Sequence, residues 1–186
     1  GSATRIGGFN NVLCTVLVIT PRWAITAAHC LRNRDLDGFV SAEPLGNTVV
    51  TSGCSTLSGA ACSSVFVKRH HIHPCYVAST FQTAGGQASV DHDDIALLET
   101  DRDMVPAGGV YALVDGINGT VPLAPSSTVT AAGFGVTDNF GTSVSERLME
   151  VTLPVRSTND CIAANPTDVS NGLVNFDHSL CAGGEE

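Results

Sequence analysis

The apolar residues of this chain come in short runs cut by turn residues, and that limits its fold more than any other feature. Short runs rich in Val, Ile and Thr form strands and leave little room for long helices. Val12 to Thr20 is a near-continuous β-prone run; Pro21 breaks it and Trp23 to Ala28 resumes, which predicts a hairpin. Val65 to Ile72, Asp94 to Glu99, Val110 to Val114 and Thr128 to Ala132 predict further strands. Met149, Val151, Leu153 and Val155 alternate with Glu150, Thr152 and Pro154, and this period of two predicts one buried face. Pro154 places that strand at an edge or at its own end. Helix signals are few: Ser157 to Asp160 reads as an N-cap before Cys161 to Ala164, and a turn is expected after Ala28. Residues 77–92 are polar and contain glycine, which predicts a long surface loop. The mixed stretch from Asp101 to Pro125 reads as a link between two halves of an all-β protein.

The totals narrow the function classes. In 186 residues, 43% are hydrophobic and 15% charged, a globular balance rather than a disordered one. No run of 18 apolar residues occurs, so no membrane span is expected. Eighteen acidic residues against nine basic give a net charge of -9, which repels a polyanion and argues against nucleic acid as a partner. Seven cysteines with no C-x-x-C pair point to disulfides in an oxidising compartment, not to a zinc ribbon or a thioredoxin-like site. The odd count leaves one cysteine without a partner inside the chain. Asn118-Gly119-Thr120 is a glycosylation triplet in a turn-rich stretch, a weak pointer to secretion.

Two residues carry the candidate chemistry. His29 follows the apolar segment Trp23 to Ala28 and precedes Cys30, with Cys14 sixteen residues before that cysteine. A bridge between the two would pin the imidazole, and general-base work needs such fixing. On residue types alone, a structural histidine beside a disulfide is the favoured reading of His29. Asp94 opens the apolar run Ile95 to Leu98; a carboxylate there needs a donor if it is buried, and an imidazole Nδ1–H would serve and would set the tautomer. A solvated loop aspartate like Asp91 and Asp93 is the alternative. His70, His71 and His73 cluster as well, but without a ligand set around them no metal site or cofactor is expected.

With their surroundings, these two sites resemble the trypsin/chymotrypsin family of serine peptidases. Ala27-Ala28-His29-Cys30, preceded by Cys14 and Trp23, is similar to that family's histidine motif, and Asp94-Ile95-Ala96-Leu97-Leu98 to its aspartate motif. His73-Pro74-Cys75-Tyr76, Gly133-Phe134-Gly135, Leu153-Pro154-Val155, Cys161 and Cys181-Ala182-Gly183 follow in the family's order. The resemblance implies two antiparallel six-stranded β-barrels, residues 1–105 holding the first and residues 106–186 the first part of the second. It implies His29 as general base, Asp94 as its orienting partner, and acyl transfer through a serine. It also implies bridges Cys14–Cys30 and Cys161–Cys181. The stretch between His29 and Asp94 is longer than is typical of the family, and a loop closed by Cys54–Cys62 fits the excess. Cys75 is then the odd cysteine, although sequence does not fix connectivity.

The chain also departs from the pattern. The family's Gly-Asp-Ser-Gly-Gly segment does not follow Gly183, so the nucleophile is expected outside residues 1–186. Arg5-Ile6-Gly7-Gly8 is similar to an activation site but stands only eight positions before Cys14, too close for a strand with turns at each end. It is therefore read as a loop, with the first barrel lacking its N-terminal strand and both barrels incomplete, a polypeptide not expected to fold alone. Thr15-Val16 replace a pair that is usually small, and Val16 is expected to crowd the region behind the site.

The expected function is a secreted endopeptidase acting on protein or peptide substrates, completed by the segment carrying the serine and open to a protein inhibitor. The rival is a non-catalytic homologue that binds a protein partner. A histidine base predicts activity that falls as pH drops through the protonation of an unperturbed imidazole, about 6.5.

Overall fold

A computed structural model describes residues 3–7, 14–34, 40–42, 48–53, 55–56, 62–83, 86–105, 109–112, 123–125, 127–137, 145–164, 166 and 179–183. Its strands are β1 (Ala3–Gly7), β2 (Cys14–Thr20), β3 (Trp23–Thr26), β4 (Arg32–Arg34), β5 (Val40–Ala42), β6 (Val49–Ser52) and β7 (Ser63–Ile72). They continue with β8 (Val77–Thr83), β9 (Gly86–His92), β10 (Ala96–Thr100), β11 (Thr128–Gly133) and β12 (Met149–Pro154). A 3-10 turn spans Ala28–Leu31, and one short helix, α1, spans Thr158–Ala164. The all-β expectation holds.

The chain divides into two compact units, one of residues 1–73, 95–114 and 132–149, the other of residues 74–94, 115–131 and 150–186. The first is built on a closed barrel with strand order β1-β2-β3-β10-β7-β6. Inward positions alternate along β2, β3, β7 and β10: Val16 and Val18, Ala24 and Thr26, Val65 and Val67, Ala96 and Leu98 are all buried, whereas β6 is buried throughout. Each fully buried valine or leucine contributes about 1.5–3 kcal/mol relative to exposure. Met104 seals the core next to Ser52, whose hydroxyl donates to the Met104 carbonyl.

Closure corrects, over Arg5 to Gly7, the reading of Arg5 to Gly8 as a loop, and with it the reading of the first barrel as short of a strand; Gly8 lies outside the described residues. β1 pairs with β2 through Ala3↔Leu17 to Ile6↔Cys14, and with β6 through Arg5↔Thr51 to Gly7↔Val49. Five residues are enough for a strand when both neighbours supply ladders, so the short gap before Cys14 does not exclude one. Crowding by Val16 is corrected too. It points into the barrel core at 2% exposure, while Thr15, one residue earlier, faces the other way.

The stretch 77–92, read as a loop, is a hairpin: β8 and β9 pair from Val77↔His92 to Thr83↔Gly86. Serine, threonine and glutamine occur in strands as well as in loops, and polarity alone does not separate the two. Residues 110–112 form no strand; Ala112 N–H donates instead to the Val18 carbonyl at 3.1 Å.

β12 pairs with β11 in a two-stranded sheet and ends at Pro154, a position where a missing N–H is tolerated. Met149 and Val151, expected on a buried face, are 51% and 50% exposed. Burial begins only at Val155, at 3% exposure, because two strands alone cannot cover an apolar face. Helix α1 starts as expected. Ser157 Oγ accepts from Asp160 N–H at 3.2 Å, and Asp160 Oδ2 accepts from Ser157 N–H at 3.2 Å, a reciprocal cap. The Cys161–Cys181 bridge ties the helix to the segment that Arg156 and Gly183 hold against Cys181 and Pro154.

Candidate active site

β3 and β10 are neighbours in the barrel, and their register pairs Thr26 with Ala96 and Glu99 with Trp23. The strands are antiparallel, so β3 ends where β10 begins. The chain leaves this end of β3 through Ala27 and Ala28 to His29, and it enters β10 from Asp94 and Ile95.

His29 sits in the 3-10 turn, exposed between buried Ala28 and buried Cys30. The Cys14–Cys30 bridge is formed, with Cα atoms 6.1 Å apart. His29 Nε2 lies 3.5 Å from Cys30 Sγ and 4.0 Å from Cys14 Sγ, so the ring packs on the bridge. The turn is closed by Cys30 N–H donating to Ala27 O at 3.3 Å, and Thr26 Oγ1 donates to the Thr15 carbonyl at 3.2 Å. These contacts fix the backbone on which the imidazole stands.

Asp94 is half-buried. Asp93 before it takes φ 49°, in the left-handed region that aspartate tolerates better than most residues. At the same strand end His73 N–H donates to Ile95 O at 3.0 Å, joining the end of β7 to the start of β10.

Sequence reasoning missed the part played by Thr15. Phe134 N–H donates to Thr15 Oγ1 at 3.3 Å, and a Cβ added at Gly133 would meet that oxygen at 3.0 Å. Glycine at position 133 is therefore demanded by close approach to the β2 side chain. The residue types offer no signal of this contact, which joins positions 119 apart in sequence. His71 of the histidine cluster packs against Trp23, ring centroids 5.6 Å apart. Cys62 is disulfide-bonded; Cys54, like Asn118, lies outside the described residues.

The family model for trypsin matches residues 2–185. The chain belongs to the trypsin family. The chain is 30% identical over 133 residues to the CLIP domain-containing serine protease B10 of Anopheles gambiae, covering 67% of this chain and 34% of that protein. It is 25% identical over 181 residues to Protein masquerade of Drosophila melanogaster, covering 97% of this chain and 16% of that protein. Against Tonin of Rattus norvegicus it is 28% identical over 185 residues, covering 96% of this chain and 62% of that protein. The chain thus spans less than two thirds of each of these curated relatives. Its fold matches that of neuropsin, a serine protease of mouse brain, with a TM-score of 0.68 at 19% identity, over 98% of this chain and 69% of that one.

Proposed function

We propose that the protein to which this chain belongs is a secreted serine endopeptidase that hydrolyses peptide bonds through an acyl-enzyme. His29 is the general base that takes the proton from the attacking serine and returns it to the leaving amine. Asp94 accepts from Nδ1–H, fixes the tautomer that leaves Nε2 able to accept, and steadies the imidazolium as it forms. The serine lies outside residues 1–186. The observation that carries this reading is the Thr26–Ala96 register, which sends His29 and Asp94 off the same end of adjacent strands. The division into a first barrel over 1–105 and a second begun in 106–186 belongs to the same proposal. Disulfides favour an oxidising, extracellular setting. Protein or peptide substrates are the partners, and a protein inhibitor is a further one.

The test is covalent labelling of the natural full-length protein by a serine-reactive phosphonate. The wild type is expected to label, and His29→Ala is expected to lose labelling while keeping its circular dichroism. A wild type that stays unlabelled sinks the endopeptidase and favours the non-catalytic homologue.

A further inference from the structure

The start of β2, the end of β3 and residues 133–134 meet at Thr15. The β2–β3 ladder runs from Thr20↔Trp23 to Leu17↔Ile25 and stops there, short of the turn that carries His29. Past that point a side chain takes over: buried Thr26 donates its hydroxyl proton to the Thr15 carbonyl at 3.2 Å. Cys14, the residue before Thr15, is bridged to Cys30, the residue after His29. On the side-chain side, Thr15 Oγ1 accepts from Phe134 N–H at 3.3 Å. We propose that Thr15 is a positioning residue for His29: its hydroxyl clamps residues 133–134 onto the Cys14-Thr15 segment, and the clamp keeps the backbone under the imidazole in place. This role rests on the reading of His29 as general base.

Residue chemistry suits Thr15 to this part. Branching at Cβ restricts χ1, so the hydroxyl is aimed with little rotational freedom. Its oxygen has two acceptor sites, and a backbone N–H in a buried residue such as Phe134 needs a partner. Gly133 lets the segment come close, since a Cβ there would meet Thr15 Oγ1 at 3.0 Å. A valine at position 15 would fill nearly the same space and accept nothing.

The route to the imidazole is short. His29 is exposed, so its aim depends on how still the backbone beneath it stays. Thr15 reaches that backbone from both sides, through Thr26 three residues before His29 and through the Cys14–Cys30 bridge one residue after it. The ring packs on that bridge, with Nε2 4.0 Å from Cys14 Sγ, so a shift of the Cys14-Thr15 segment moves the surface the ring lies on. Misplacing a catalytic group by about 1 Å costs about 100-fold in rate. A residue that acts through the base lowers the chemical step and leaves binding unchanged.

The probe is the serine-reactive phosphonate, whose attachment to the serine uses the same base. Labelling of the natural full-length protein over a range of phosphonate concentrations gives a limiting rate and a half-saturating concentration. Thr15→Val is expected to lower the limiting rate about 10- to 100-fold and to leave the half-saturating concentration unchanged. Thr15→Ser, which restores the hydroxyl, should regain most of the rate. Imidazole NMR gives a second readout that needs no labelling. The His29 signal, identified by its loss in His29→Ala, should move in Thr15→Val and return in Thr15→Ser. Thr15→Ala carries the same expectations if circular dichroism shows that Thr15→Val does not fold. A folded variant without the hydroxyl that labels at the wild-type limiting rate overturns the proposal. So does an equal loss in Thr15→Ser, which would trace the effect to the methyl group, or a raised half-saturating concentration at an unchanged limiting rate. A wild type that stays unlabelled sinks the general base and this role with it. A wild type that labels beside an undisturbed Thr15→Val sinks the role of Thr15 alone.

Discussion

His29 is exposed, yet its neighbours are not, and that contrast is what a general base requires. The ring must reach solvent and substrate while its backbone stays still, and the 3-10 turn with the Cys14–Cys30 bridge provides the stillness. Asp94→Asn in the full-length protein should lower kcat about 10⁴-fold, the scale typical of replacing a triad's orienting carboxylate by its amide. Steady-state kinetics at saturating substrate check this, and a loss below tenfold removes Asp94 from the proposed role. Position 133 allows a second test. Gly133→Ala pushes a methyl to 3.0 Å from Thr15 Oγ1, and an overpacked contact of this kind costs about 1–3 kcal/mol. Adding Thr15→Ala removes the opposing hydroxyl, so the double variant should recover part of the loss. Urea unfolding of the four proteins measures the coupling, and strict additivity would show that the contact does not matter.

Among the elements, the β7–β10 pair carries the clearest electrostatic feature. Register places Glu99 opposite Arg69. Arg69 Nε donates to Glu99 Oε2 at 2.6 Å, with Lys68 Nζ 3.8 Å from Oε1. The Arg69 hydrogen bond holds the Glu99 carboxyl below the usual glutamate range; burial opposes the shift, and the charges of Arg69, Lys68 and His71 add to it. A carboxyl lowered on folding stabilises the fold above its unfolded pKa, and the contribution fades as pH falls through the folded value. Glu99→Gln should therefore shift the urea midpoint modestly downward at pH 7 and leave it nearly unchanged near pH 2. A larger effect in acid than at neutrality would reverse the assigned sign. The strand periodicities were less even guides. In β2, β3, β7 and β10 burial alternates because a closed barrel gives each strand an inside. In β12 the alternation left Met149 and Val151 exposed, because β11 is its sole neighbour in the sheet among the described residues.

Over the whole molecule, closure is the organising fact. β1 is the strand that joins β2 to β6, so the barrel has no open edge among these six strands. Deleting residues 1–7 should remove two ladders at once and cost more than about 4 kcal/mol, beyond the usual range of a single substitution. Urea unfolding would show a much lower midpoint, and size-exclusion chromatography should show association through the exposed β2 and β6 edges. A deletion that stays monomeric with an unchanged midpoint would mean that closure adds little to stability. No helix among the described residues is long and apolar enough to cross a membrane.

The sequence by itself determined the all-β class, the β2–β3 hairpin, the capped helix at Thr158–Ala164, two of the disulfides and the family. Each rests on local chemistry or on ordered motifs: a proline between apolar runs, a serine and an aspartate three apart, cysteines at the places of the family's bridges. Tertiary structure alone decided whether Ala3–Gly7 was strand or loop, because five residues with little pattern of their own become a strand only when two neighbours offer hydrogen bonds. It alone decided that 77–92 pairs with itself, that Val16 turns inward, and that Gly133 must leave room for Thr15. For the candidate site, the motifs named His29 and Asp94, and pairing across the barrel set the Thr26–Ala96 register from which both depart. The physical reason is one of range: residue type and spacing act over a few positions, whereas strand partners and close contacts join residues far apart in the chain, and only the folded backbone can bring them together.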